Sequence, residues 1–109
     1  MADNVPEGVQ AVLSFLKRMF PDGRVQHRED FDSGGWIFDL YIGTEHYPRR
    51  LVVTEERLTD EEPGRTVAEA VTAALQRHQI AHQLRRQQQD KELVFAYLGL
   101  TTQERRARQ

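Results

Sequence analysis

Between Gly35 and Gly43 the chain reads Trp36-Ile37-Phe38-Asp39-Leu40-Tyr41-Ile42. Trp36, Phe38, Leu40 and Ile42 alternate with Ile37, Asp39 and Tyr41, the period of a β-strand with one wholly apolar face. This run holds the only tryptophan of the chain. A strand of this kind needs strand neighbours and a layer laid over its apolar face, so it predicts a small sheet covered on that side.

The flanking residues predict the partners. Residues 24–31 read as a short edge strand, with Val25 and Phe31 on one face and His27 and Glu29 falling between them. Asp32-Ser33-Gly34-Gly35 is turn chemistry. Residues 47–55 read as a third strand, joined through Thr44-Glu45. That connection sets Trp36 opposite Val53, Phe38 opposite Leu51, Leu40 opposite Arg49 and Ile42 opposite Tyr47. On the other face it sets Ile37 against Val52, Asp39 against Arg50 and Tyr41 against Pro48, and the Asp39–Arg50 pair joins opposite charges. Pro48 cannot donate to a ladder, so the third strand is expected at an edge or starting after the proline.

Helices are predicted on either side of this meander. Over residues 5–20, Val9, Val12, Leu13, Leu16 and Phe20 form an apolar stripe, with Asn4 and Glu7 spaced as a capping box. Thr66 and Glu69 form a second capping box, ahead of a helix that turns Val67, Ala70, Val71, Ala74, Leu75 and His78 inward. The expected class is α+β, in the order α-β-β-β-α, with a three-stranded antiparallel meander and helices packed mainly on one face. The apolar run at 93–98 adds a short C-terminal helix or a fourth strand. Residues 1–100 form one domain and 101–109 a flexible basic tail.

Two groups of apolar residues have no role in that scheme. Ile37, Tyr41 and Val52 fall on the sheet face turned away from the helices. Ala73, Ile80 and Leu84 form a second stripe, if the helix after Thr66 runs on past His78 at 100° per residue. Both are candidate protein-binding patches, with Tyr41 as an amphipathic anchor.

Charge gives a different candidate. The chain carries a net charge of −2, but residues 1–75 hold 8 Lys/Arg against 14 Asp/Glu while residues 76–109 hold 7 against 3. The basic end, with Arg77, Arg85, Arg86, Lys91, Arg105, Arg106 and Arg108, is an alternative nucleic-acid-binding surface. There is no cysteine, which excludes disulfides, thiolate metal sites and cysteine nucleophiles and agrees with a cytoplasmic protein. The polar, acidic opening does not read as a signal peptide, and no run approaches the ~20 apolar residues of a membrane span.

Catalytic and metal-binding patterns are weak. His78 and His82 are spaced i, i+4, but no third ligand is spaced beside them. Glu29, Asp30, Asp32 and Asp39 cluster at the first hairpin, where turn chemistry and Arg50 account for them. Ser33-Gly34-Gly35 lacks the nucleophile-elbow pattern, and neither Lys17 nor Lys91 lies in a phosphate-binding loop. The helix–strand–strand–strand–helix order resembles that of double-stranded-RNA-binding domains in topology alone. The residues that precede the second helix here, Asp60-Glu61-Glu62, carry the wrong sign for a duplex. The expectation is therefore a small, soluble, non-enzymatic protein-interaction module without cofactor or metal, self-associating as a homodimer or acting as an adaptor or regulator.

Overall fold

A computed structural model describes residues 5–106. The protein is α+β, with the elements α1 (Glu7–Met19), β1 (Gly23–Asp30), β2 (Gly35–Ile42), β3 (Arg49–Val53), α2 (Glu55–Leu58), α3 (Val67–Arg77), α4 (Ile80–Arg85), β4 (Lys91–Ala96) and β5 (Gly99–Glu104). The strands form one sheet in the order β1-β2-β3-β4-β5. β1–β3 are the expected antiparallel meander; β4 pairs parallel to β3, and β5 returns antiparallel along β4.

The β2–β3 register is the one the alternation demands, from Trp36 opposite Val53 to Leu40 opposite Arg49, with Asp39 opposite Arg50. Pairing stops there, so Ile42 and Tyr41 do not reach Tyr47 and Pro48, and the connection spans residues 43–48 rather than two. β3 does start after Pro48, but it is the middle strand, not an edge. A parallel partner delivered by the distant α2–α4 crossover occupies the side that Pro48 would have left open. The run at 93–98 is strand up to Ala96, not helix. The tail expected from Thr101 enters the sheet as β5 through Glu104, so the domain does not end at residue 100. Arg108 lies outside the described residues.

The helices cover one sheet face, where Phe38, Leu40, Leu51, Val53, Leu93 and Phe95 meet Val12, Phe15, Leu16, Leu75 and Leu84 in a single core. α1 packs on α3 and on β1, and α4 packs on β3. α1 begins at Glu7, with Pro6 as its N-cap and no side-chain cap. Asn4 lies outside the described residues, and Glu7 caps another helix instead, accepting the Ala68 N–H at 3.0 Å at the start of α3. The Thr66–Glu69 capping box is present in both directions, and its hydrogen bonds hold the Glu69 carboxyl below its ordinary value.

The second apolar stripe is not there. Gln79 takes a left-handed conformation, φ 56°, which ends α3 at His78 and restarts the chain as α4 in a new direction. Ile80 and Leu84 then enter the core, and Ala73 stays half-buried on the flank of α3. Continuous helical phase, on which the stripe was predicted, does not survive that residue. His78, the C-cap of α3, and His82, within α4, accordingly do not share one helix.

Candidate interaction surface

The sheet face away from the helices is not an open apolar patch. Ile37 and Val52 are each 1% exposed and Tyr41 is half-buried. Long polar side chains of the sheet stand around them on this face. Arg28 stands beside Ile37 in register and reaches Asp39 at 3.4 Å. Arg50 meets both Asp39 oxygens, at 2.8 and 3.1 Å. The Gln103 amide donates to buried Glu92 at 2.7 Å, and the Arg24 guanidinium sits 5.2 Å from the Tyr41 ring centre. Long polar side chains can lay their stems over apolar neighbours while keeping their heads in water. Of the six protein-binding candidates read from the sequence, Ile37, Val52, Ile80 and Leu84 are thus interior, and Tyr41 and Ala73 are partly covered.

The basic residues do not converge either. Arg85 donates to the Met19 carbonyl and stacks on Phe20. Arg105 donates to the Pro48 carbonyl at 2.7 Å, and Lys91 pairs with Glu104 at 2.6 Å. These three cations are engaged within the fold, while Arg77, Arg86 and Arg106 are exposed.

Of the large exposed apolar side chains among the described residues, Met19 and Tyr47 stand apart and the other three collect elsewhere. Because β1–β2 and β4–β5 are hairpins and β4 runs parallel to β3, both hairpin turns project from the same end of the sheet. One row of the ladder joins Glu29, Trp36, Val53, Phe95 and Leu100. Just beyond it stand Phe31, 88% exposed, on the first turn, and Tyr97 and Leu98, 69% and 95% exposed, on the other. The two hairpins are three strand spacings apart, ~14 Å between their centres.

Both turns are held in place. Buried Asp30 accepts the Ser33 hydroxyl at 2.6 Å and the Asp32 N–H at 3.2 Å, a local ring that fixes the Phe31 turn. α2 lies between the turns. Its Arg57 donates to the carbonyls of Ala96 and Tyr97, at 2.8 and 3.1 Å, and its guanidinium lies over the Phe95 ring at 4.5 Å. Arg57 is thereby consumed, whereas Asp32, Glu55 and Glu56 are exposed. The result is a rigid end with apolar tips and an acidic rim.

The second tip does not follow turn preference. A two-residue hairpin connection favours Asn, Asp or Gly, yet Ala96 and Gly99 are joined by Tyr97-Leu98. Sequence reasoning assigned Phe31 to a strand face and the other two to an apolar run. The signal was present in Phe31 set between two aspartates and in Tyr97-Leu98 set before a glycine.

His78 lies under this end, its ring centre 4.9 Å from that of Phe95. Burial, and after it the charges of Arg57 and Arg77, hold its imidazole below the ordinary value of 6.5. Its stabilising contribution is therefore complete above pH 6.5. It is lost as pH falls from 6.5 through the depressed folded value, because the unfolded chain takes up the proton first. Thermal melting followed by circular dichroism should show a fall in Tm on acidification across that window, and His78→Gln should flatten it.

At the opposite end a cleft of 560 Å³ is lined by Glu45, Tyr47, Pro48, Arg49 and residues 87–90. Glu45, Arg49 and Gln87 already serve the fold. Arg49 binds Glu45 and the carbonyls of Leu84 and Arg85, and the Gln87 amide binds both the N–H and the carbonyl of Arg50. A ligand pocket is normally apolar with a few free converging polar groups, and this cleft is not built that way. No helix among the described residues is long and apolar enough to cross a membrane. No family profile, curated protein or solved structure matches the chain.

Proposed function

We propose that this protein is a non-enzymatic protein-interaction module that docks through its hairpin-tip end. One observation carries the reading: Phe31 and Leu98 stand almost fully in water, with Tyr97 about two-thirds exposed beside them, on two braced turns at the same end of the sheet. Clustered apolar side chains of this size on a rigid support favour a partner with apolar recesses. The carboxylates of Asp32, Glu55 and Glu56 favour a basic margin around those recesses.

The test places a photo-crosslinking residue at position 98 and, as a control, at exposed position 10 on α1. In native lysate a discrete adduct is expected from position 98 and not from 10, and Phe31→Ser is expected to abolish it. Against the adduct partner, the Phe31→Ser/Leu98→Ser variant should lose binding at least ~30-fold, the equivalent of one anchor worth ~2 kcal/mol. Its unfolding free energy should stay within ~0.5 kcal/mol of the parent, since both residues are exposed. An adduct equally strong at position 10, or one indifferent to Phe31→Ser, would count against the reading.

A further inference from the structure

A five-stranded open sheet has two free edges, and here they differ. β1 carries Arg24, Arg28, Glu29 and Asp30 within its eight residues, with α1 packed against it. Charged side chains along an edge discourage further strand addition. β5 reads Gly99-Leu100-Thr101-Thr102-Gln103-Glu104, with a single charge at its end. It pairs with β4 residue for residue, with no bulge and no proline, and Arg105 extends the ladder by donating to the Asp90 carbonyl at 2.8 Å. Thr101 and Thr102, which point to opposite faces, are both exposed. This edge is regular, β-branched at its centre and carries a single charge.

We infer that β5 is a self-pairing edge, and that a second copy of this chain adds its own β5 antiparallel to it, joining two sheets into one of ten strands. The occupant is argued from self-complementarity. An antiparallel two-fold perpendicular to the sheet must pass through a residue. Centred on Thr102, it sets Thr102 against Thr102, Thr101 against Gln103, Leu100 against Glu104 and Gly99 against Arg105. No like charges meet, and Thr–Thr is a favourable cross-strand pair. The same operation on β1 centred between its ends, at Gln26 or His27, sets Arg24 against Arg28 or Arg24 against Asp30, and the first of these is a like-charge clash. The two-fold also reverses the second copy, so the two hairpin-tip ends point away from each other. Such a dimer offers two docking ends at opposite edges of one rigid body, the geometry of a bivalent adaptor. The pairing rests on β5 alone and does not depend on what the tips bind.

The absence of cysteine from the chain makes the test direct. Light scattering on the full chain is expected to give twice the chain mass. Thr102→Lys, which sets lysine against lysine at the axis on an exposed site, is expected to halve that mass with an unchanged circular dichroism spectrum. Thr102→Cys should form an intermolecular disulfide under mild oxidation, while Gln26→Cys on β1 should not. The Phe31→Ser/Leu98→Ser variant should remain dimeric. A monomer at every concentration, equal cross-linking from β1, or a dimer lost with the tip residues and kept with Thr102→Lys would each overturn the inference.

Discussion

Arg50→Ala is expected to lower the unfolding free energy by about 3 kcal/mol, at the low end of the range for breaking a buried ion pair by removing one partner. Arg50 meets both oxygens of Asp39, whose side chain is 6% exposed against 12% for Arg50. Without it, Asp39 keeps the 3.4 Å contact from Arg28, itself half in water, and the more distant charge of Arg105. Most of the loss is then the cost of a carboxylate left desolvated, not the worth of the pair. A second variant separates the two. Asp39→Leu/Arg50→Leu removes both charges at one cross-strand position, beside apolar Ile37 and Val52, and should recover most of the stability, because a buried pair seldom exceeds an apolar pair of similar volume. Urea unfolding of parent, single and double variants gives the three values. A double variant as unstable as Arg50→Ala would show that the pair itself, and not its half-removal, matters.

That pair also marks where the sequence was legible. The β2–β3 register was readable because alternation, apolar matching and one opposite-charge pair all select the same alignment. The α3 start was readable because a capping box is local chemistry. What failed was nonlocal or conformational. Nothing near Pro48 announces that β4, some 40 residues later, will lie along β3. Gln79 at φ 56° has no sequence signature, since glycine or asparagine is the usual occupant there. Thr101 to Glu104 looks like a polar tail because an outermost strand buries little on either face. For the candidate site the failure was one of expectation. Apolar residues were sought on a sheet face, where Ile37 and Val52 turned out to be buried among long polar side chains. Phe31, Tyr97 and Leu98 were overlooked because strand and core are the ordinary places for such residues.

Gly35→Ala is expected to cost about 2 kcal/mol, a fall in Tm of roughly 8–16 °C for a domain of this size. Two effects oppose. Alanine in a strand gains ~0.5–1 kcal/mol over glycine through the entropy of the unfolded chain. Against that, a methyl at Gly35 would meet the Val53 carbonyl oxygen at 2.1 Å and the Thr54 Cα at 2.8 Å. Those atoms belong to the backbone of the central strand as it turns into α2, so no side-chain rotation relieves the contact. Overpacking of a fixed neighbour costs ~1–3 kcal/mol or more, and the steric term wins. The displacement has a direction. Gly35 donates its N–H to the Ser33 hydroxyl, and that hydroxyl donates to Asp30, so whatever pushes β2 off β3 also moves the turn that carries Phe31. α2, which braces the other turn through Arg57, begins two residues after Val53. Gly35→Ala should therefore weaken docking by the tip end even at temperatures where the protein remains folded, whereas Phe31→Ser should weaken docking with Tm unchanged. Melting curves and titration of the two variants against the crosslinked partner separate a braced surface from a merely exposed one. Full affinity in folded Gly35→Ala would mean that the position of the Phe31 turn does not matter to binding.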